Sequence, residues 1–176
     1  MKDVTSTPFG LLIAFLLPGI AGLYAISLWV ETLSEVFATF TTAESNVGLF
    51  LLVVLFAIAL SLQLNLVRWV MFEKLICRRN KLDLEDFKQL GDEHKLGAFR
   101  AVVDEHYRYH QFWGAISVVL PFLLFRWGAL YFADATLFAQ VVFWISAISM
   151  EILTILAART AYIFYVERAT SIMRGA

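Results

Sequence analysis

Four long apolar runs, separated by more polar sequence, restrict the fold of this chain more than any other feature. The runs cover residues 9–30, 47–72, 112–132 and 136–158. Because about 20 apolar residues in a helix cross the hydrocarbon core of a bilayer, each run predicts a transmembrane helix. Only 16% of the residues are charged, whereas about a quarter are charged in soluble domains. We therefore predict an all-α, polytopic membrane protein in which residues 1–176 form a single four-helix transmembrane domain.

Basic residues set the expected orientation of the chain. The polar insert at 73–111 carries eight Lys and Arg residues, the helical C-terminal extension at 159–174 carries three, and the segment at 31–46 carries none. Loops rich in Lys and Arg stay on the cytoplasmic side of a membrane. The insert and both termini are therefore expected in the cytoplasm. The segment at 31–46 is expected to be a short loop on the opposite side.

The first apolar run is expected to remain in the protein as a transmembrane helix. It is longer than the core of a signal peptide, which has about 7–15 residues, and no small-x-small cleavage site follows it. Pro18 lies near its middle, where a proline removes a backbone hydrogen bond and kinks a helix. Small residues on one face of the run predict close packing against another helix.

Polar side chains inside the apolar runs are the first candidates for a functional site. Ser61, Asn65 and Arg68 recur at i, i+4 and i+7, so they share one helix face. Gln63 and Glu151 complete the set. Polar groups within a span usually face the protein interior or a water-filled path, so these five residues are predicted to line a polar path. One alternative takes Arg68 to the lipid headgroups. Another pairs Glu151 with a polar residue of the second run.

The insert is predicted to be helical rather than disordered. Asp83 is an N-cap signal for a short helix that ends at Gly91, and a second helix begins near Asp92 and continues without a breaker into the third span. The fourth span likewise continues towards Met173. The apolar faces of these extensions need a partner. The basic residues at the start of the insert, Arg78, Arg79 and Lys81, suit a phosphate or an anionic headgroup. The positive-inside rule also explains them. The predicted ligand or partner face comprises Arg78, Arg79, Lys81, Phe87, Phe99, Tyr162 and Tyr165.

Charge and motifs argue against nucleic-acid binding and against catalysis. The net charge is −1, and acidic residues balance the basic ones within the insert, whereas nucleic-acid sites show a net basic face. The sequence contains no Gly-rich phosphate loop, Cys-x-x-Cys pair or nucleophile elbow. We therefore expect no enzymatic activity and no cofactor. With Cys77 as the single cysteine, the chain forms no internal disulfide.

His106 and His110 are weak candidates for a metal site. Their i, i+4 spacing lets two imidazoles on one helix face reach one ion, with His94, Asp104 or Glu105 as further ligands. A metalloprotease helix would place a glutamate directly after the first histidine, and an aromatic residue stands there instead. The alternative is a pair of polar histidines just below the membrane.

The segment HYRYHQFWG at 106–114 lies where a cytoplasmic helix enters a span, and it resembles a segment of small bacterial four-span proteins. The layout of the whole chain resembles the compact membrane effectors of bacterial anti-phage defence systems of the Hailong and Kiwa types. That resemblance implies a homo-oligomer in the bacterial inner membrane that disrupts the membrane or acts like a channel. It also implies a cytoplasmic face that senses a ligand or partner, and it transfers no functional residue to this chain.

Three hypotheses for function follow. The first is a homo-oligomeric ion-channel-like or membrane-depolarising effector, gated by its cytoplasmic helices through a protein or small anionic ligand; four spans are few for a pore, so conduction would run between subunits. The second is a membrane anchor or adaptor that docks a soluble protein. The third is a metal or redox enzyme that uses His106 and His110. The adaptor hypothesis relies on Leu84, Phe87, Leu96, Phe99, Tyr162 and Tyr165.

Overall fold

Most of the described part of the chain is helical. The computed structural model describes residues 10, 12–39, 47–77, 82, 87 and 93–174. The long described segments form five helices and no strand, so the all-α prediction is confirmed for them. The helices are α1 (π-helical at Leu12–Leu16, then α-helical at Leu17–Ser27), α2 (Glu31–Thr39), α3 (Val47–Ile76), α4 (Glu93–Tyr131) and α5 (Leu137–Arg174).

Three of the helices change between α-helical and π-helical winding. Helix α3 is α-helical at Val47–Arg68 and π-helical at Trp69–Ile76, and α4 has a π-helical segment at Val103–Tyr107. In α1, Pro18 is the second residue after the π-helical turn. Because proline lacks the N–H that an α-helix needs, the winding of α1 changes beside the residue where the sequence predicts a kink.

Three helices are long and apolar enough, by length and composition, to cross a membrane: α3, α4 and α5. They contain the second, third and fourth predicted spans. The apolar part of α1, Ala14–Ser27, is shorter, and the predicted first span at 9–30 begins among residues outside the described part of the chain. The structure thus supports three of the four predicted spans.

The predicted loop at 31–46 is wrong over its first half, because Glu31–Thr39 forms helix α2. A turn joins it to α1, with the amide of Val30 donating to the carbonyl of Ile26 over 3.1 Å. Its apolar residues then recur at helical spacing and pack on the core that α1 and α3 share, and an acidic residue in the first turn suits the helix dipole. Residues 40–46 lie outside the described part of the chain. The side chains of α2 that reach this core are Leu33, Val36 and Phe37.

Helix α4 lies at the centre of the packing. Helices α1, α3 and α5 all contact it, and α1 also packs on α3. A Cβ at Gly19 of α1 would overlap the carbonyl group of Ala57 on α3, so the two backbones approach closely, as small residues allow between membrane helices. Within the most apolar windows of α3 and of α5, only 17% of the residues are buried. Both helices therefore present wide apolar surfaces.

The start of α4 and the end of α5 run side by side beyond the apolar stretches. Arg168 lies 3.4 Å from the carboxylate of Glu105, and the rings of Phe99 and Tyr165 are 6.5 Å apart. Helices α4 and α5 each run from the apolar stretch into this extension without a break. The first predicted helix of the insert, 83–91, lies almost wholly outside the described residues.

Candidate functional site

A buried arginine marks the largest polar feature of the helix assembly. Arg68 is the last α-helical residue of α3, and only 3% of it is exposed. Its Nη1 donates to Oε1 of Glu73 over 3.0 Å and lies 2.5 Å from Nε2 of His110. Its Nε donates to Oδ1 of Asn65 over 3.1 Å, and Tyr107 donates its hydroxyl to Oε1 of Glu73 over 3.3 Å. These five residues form the Arg68 cluster, where α3 meets α4.

The π-helical winding after Arg68 explains how Glu73 reaches it. In an α-helix, residues five apart lie about 140° apart around the axis. A π-helix closes hydrogen bonds between residues i and i+5, and the amide of Cys77 donates to the carbonyl of Phe72 in this way. Glu73 therefore returns to the side of α3 that carries Arg68. The result is an ion pair, without which the buried guanidinium would be strongly unfavourable.

His110 links the Arg68 cluster to α5. Its Nδ1 lies 2.8 Å from the backbone carbonyl oxygen of Ala158, which only accepts hydrogen bonds, so Nδ1 carries the proton. Its Nε2 faces a guanidinium, which has only N–H donors, so Nε2 is the acceptor. The imidazole is therefore neutral, and it is completely buried. Through this side chain, three helices meet at one point.

A glycine on α4 makes room for the arginine. A Cβ at Gly114 would lie 2.6 Å from Cγ and 2.8 Å from Cδ of Arg68, well inside van der Waals contact. The aliphatic stem of Arg68 thus crosses the backbone of α4 at this glycine. The fully buried Phe72 sets its ring edge-on to the His110 ring, with 5.6 Å between centroids. Apolar groups enclose the stem while polar groups hold the guanidinium.

The predicted polar path divides into two groups. Ser61, Asn65 and Arg68 do share a face, because the Asn65 side chain donates to the Ser61 carbonyl over 3.0 Å and accepts from Arg68. Gln63 is exposed on another face of α3. Glu151 lies on α5, where its Oε2 is buried without a hydrogen-bond partner among the described residues. The structure brings three of the five residues together, and their role in a path stays a prediction.

Two of the alternatives from the sequence differ from the structure. Arg68 does not extend to the lipid headgroups, because it is buried and held by Glu73 and His110. Glu151 does not pair with a polar residue of α3. The guanidinium instead finds its carboxylate five residues away on its own helix, and within the described part of the chain the Oε2 of Glu151 stays unpaired.

Glu73 and Tyr107 belong to the site, and sequence analysis does not single them out. Glu73 is one of several acidic residues in the insert, and no α-helical spacing pairs it with Arg68. The signal that points to it is physical: an arginine at the end of an apolar run needs a carboxylate close by. Tyr107 has no such signal, because no motif or spacing distinguishes it within the segment HYRYHQFWG.

A cavity of about 330 Å³ lies beside the Arg68 cluster, and we call it the aromatic cavity. It brings together three residues of the predicted ligand face: Phe87, Tyr162 and Tyr165. A fourth, Phe99, contacts the rings of Phe87 and Tyr165 at 5.9 and 6.5 Å between centroids. The cavity is lined by Trp69, Glu73 and Lys74 of α3, Tyr107 of α4, Tyr162 and Tyr165 of α5, and Leu82 and Phe87 of the insert. The other predicted residues of this face lie outside the described part of the chain: Arg78, Arg79 and Lys81.

The two histidines proposed as metal ligands lie in different surroundings. His110 uses both ring nitrogens within the protein, towards Arg68 and the Ala158 carbonyl. The His106 ring lies 6.1 Å from the Phe164 ring. In the part of the chain that the structure describes, no three His, Cys, Asp or Glu side chains converge where they could hold a metal ion.

Comparisons with protein-family models, with curated proteins and with solved structures find no match for this chain. The site is therefore interpreted from its own geometry. That geometry provides a buried, internally paired charge at the junction of three helices, and next to it an aromatic cavity with a carboxylate in its wall.

Proposed function

We propose that this protein is a homo-oligomer of the bacterial inner membrane that conducts ions or depolarises the membrane under the control of its cytoplasmic helices. Three helices with the length and apolarity to cross a membrane support the location. The observation that carries the proposal is the polar surface that a single chain leaves unsatisfied within these helices. The resemblance of the whole layout to anti-phage effectors makes defence against phage the setting that we propose.

Gln63 and Glu151 are the two polar side chains on which this proposal rests. Gln63 is exposed on α3 between Leu62 and Leu66, which are themselves 55% and 56% exposed. Glu151 keeps a buried carboxylate oxygen without a partner in the described structure. Polar groups against lipid tails are costly and usually face a protein interior or a water-filled path. Both side chains therefore need contact with a further protein surface. A second copy of the chain provides one.

In this proposal the ions pass between subunits. A few helices that pack around one central helix are too small a set to enclose a conducting pore. The wide exposed surfaces of α3 and α5 instead offer area for subunit contacts. A path between copies would have Gln63 and Glu151 along it, while Asn65 and Arg68 stabilise each subunit from within through the Arg68 cluster.

The control would act through the continuous helices. Both α4 and α5 run unbroken from their apolar stretches into the extensions, where Glu105 and Arg168 connect them. The hydrogen bond from His110 to the Ala158 carbonyl joins the same two helices at the level of the Arg68 cluster. A shift of the extensions would therefore reach the spans through rigid elements.

The test combines oligomeric mass with ion flux. We expect the detergent-solubilised protein to have the mass of a defined oligomer, and liposomes that contain it to lose a potassium diffusion potential. Glu151→Gln should change that rate several-fold, because it removes a charge from the path. Glu167→Gln, the same substitution at an exposed site on the extension of α5, is the matched control. A monomer that leaves the potential intact, with or without cytoplasmic extract, contradicts the proposal.

A membrane adaptor is the second candidate, and exposed aromatic residues favour it. Phe87 is 40% and Phe164 is 49% exposed, and in the predicted topology both lie outside the bilayer, where lipid does not cover them. A soluble partner that co-purifies with wild type and with Glu151→Gln, but not with Phe87→Ala or Phe164→Ala, would support it. Capture that depends on Glu151 instead would count against it.

A further inference from the structure

We propose that the aromatic cavity binds an organic ammonium group linked to a phosphate, as in a phosphoethanolamine headgroup. This binding site is a property separate from ion conduction, because ligand binding can be measured on the protein whether or not it conducts ions. Three features of the cavity carry it: a carboxylate oxygen with spare capacity, a wall of tyrosine rings, and a lysine at the rim.

Glu73 supplies the anionic contact for the ammonium group. Its Oε1 accepts from Arg68 and from Tyr107, while its Oε2 has no hydrogen bond from the described residues. The side chain is 17% exposed and lines the cavity. A carboxylate has acceptor sites on both oxygens, so a ligand N–H can bond to Oε2 without displacing Arg68 or Tyr107 from Oε1.

The tyrosine rings supply the second contact. The ring centroids of Tyr107 and Tyr165 are 4.9 Å apart, and those of Tyr162 and Tyr165 are 6.2 Å apart, so the three rings form one wall next to Glu73. Aromatic faces attract cations through the ring quadrupole, and cages of such rings recognise ammonium groups. This wall and the carboxylate favour a positively charged ligand group over a neutral one.

Lys74 favours a ligand that also carries an anion. Its Nζ lies 4.3 Å from the centroid of the Trp69 ring, and both residues line the cavity. A simple cation in the cavity would be repelled by this ammonium group, whereas a phosphate a few bonds from the ligand nitrogen would be attracted to it. The charges along the cavity, negative at Glu73 and positive at Lys74, therefore match a zwitterion.

Two sources could provide this chemistry: a phospholipid headgroup and a free aminoalkyl phosphate. To distinguish them, the full-length protein is stripped of lipid in detergent and titrated calorimetrically with short-chain phosphatidylethanolamine, short-chain phosphatidylglycerol and free phosphoethanolamine. We expect phosphatidylethanolamine to bind at least about tenfold more tightly than phosphatidylglycerol, which lacks the ammonium group. Free phosphoethanolamine that binds as tightly as the lipid identifies a soluble ligand, and binding of the lipid alone identifies the headgroup.

Three variants test the site residue by residue. Tyr165→Leu should weaken binding of the preferred ligand about tenfold through loss of a ring face, and Tyr109→Leu, the same change at an exposed ring outside the cavity, should leave it unchanged. Lys74→Gln should weaken binding of the same ligand several-fold, because the ligand phosphate loses the attraction of the Lys74 ammonium group. Because Lys74 is exposed at the rim, this variant is expected to fold, and it keeps the test valid if Tyr165→Leu does not.

The proposal is overturned by any of three results. The first is equal binding of phosphatidylglycerol and phosphatidylethanolamine. The second is wild-type affinity in folded Tyr165→Leu. The third is wild-type affinity for the preferred ligand in Lys74→Gln. None of these results depends on ion flux, so failure here and failure of the channel proposal are distinguishable.

Discussion

Replacing Arg68 with methionine tests whether the buried ion pair holds the three helices together. Methionine keeps an unbranched stem against Gly114 and removes the guanidinium. The carboxylate of Glu73, the Nε2 of His110 and the Oδ1 of Asn65 each lose a donor. Arg68→Met therefore removes hydrogen bonds and an ion pair while it keeps most of the packing of the stem.

The expected cost follows from the burial of the pair. Removing one partner of a buried ion pair costs about 3–5 kcal/mol, because the other charge is left unpaired. Glu73 is 17% exposed, so water recovers part of its solvation, and about 3 kcal/mol is the appropriate figure. For a chain of this size, each kcal/mol shifts Tm by about 2–4 °C. We expect Arg68→Met to lower Tm by about 6–12 °C.

Thermal unfolding in detergent, followed by tryptophan fluorescence, measures the shift. Combining Arg68→Met with Glu73→Gln removes the unpaired charge, so the double variant should unfold at a higher temperature than the single one. Arg159→Met, at an exposed position of α5, is the matched control and should leave Tm unchanged. A Tm for Arg68→Met equal to that of wild type, or a double variant no more stable than the single, would refute the reasoning.

Two further predictions concern packing and thiol chemistry. Gly19→Ala should destabilise the protein by about 1–3 kcal/mol, because the new Cβ would overlap the carbonyl of Ala57. Gly97→Ala is the control and should not destabilise it, because nothing lies within 4 Å of the new Cβ. Equal Tm values for the two variants would contradict this prediction. Burial raises the pKa of the Cys77 thiol, although Arg159 nearby opposes the shift. The thiolate, which is the reactive form, is therefore scarce at neutral pH, and the rate of maleimide labelling of folded protein should still be rising at pH 9; a plateau below pH 8.5 would contradict it.

The long helices could be predicted because the sequence features that indicate them lie within each helix itself. Long apolar runs predict the apolar parts of α3, α4 and α5, and the absence of breakers predicts that α4 and α5 continue beyond them. Helix α2 was missed for a different reason. The segment at 31–46 is short and lies between two apolar runs, which favours a loop, yet Leu33, Val36 and Phe37 find a core on α1 and α3. Packing on that core therefore completes a helix that the local spacing of apolar residues also favours.

The Arg68 cluster could be predicted only in part. The spacing of Ser61, Asn65 and Arg68 correctly gives one shared face, since that face lies on α-helical residues. The partner Glu73 lies five residues on, where α-helical geometry turns it away from Arg68, and the π-helical winding at Trp69–Ile76 that brings it back has no signature in the sequence. A prediction based on α-helical spacing therefore places Arg68 on the correct face but does not identify its carboxylate partner.

Glu73 joins the buried cluster to the aromatic cavity, and this shared residue couples the two. One of its oxygens holds Arg68 and Tyr107, and the other is free for a ligand. An ammonium group at the free oxygen draws on the same negative charge that stabilises the guanidinium, so the ligand weakens the ion pair while it binds. Because such coupling is reciprocal, a stronger ion pair between Glu73 and Arg68 must in turn lower the affinity for the ligand. His110 contacts both Arg68 and the Ala158 carbonyl of α5. A ligand in the cavity therefore affects the packing of α3, α4 and α5 through the Glu73 carboxylate.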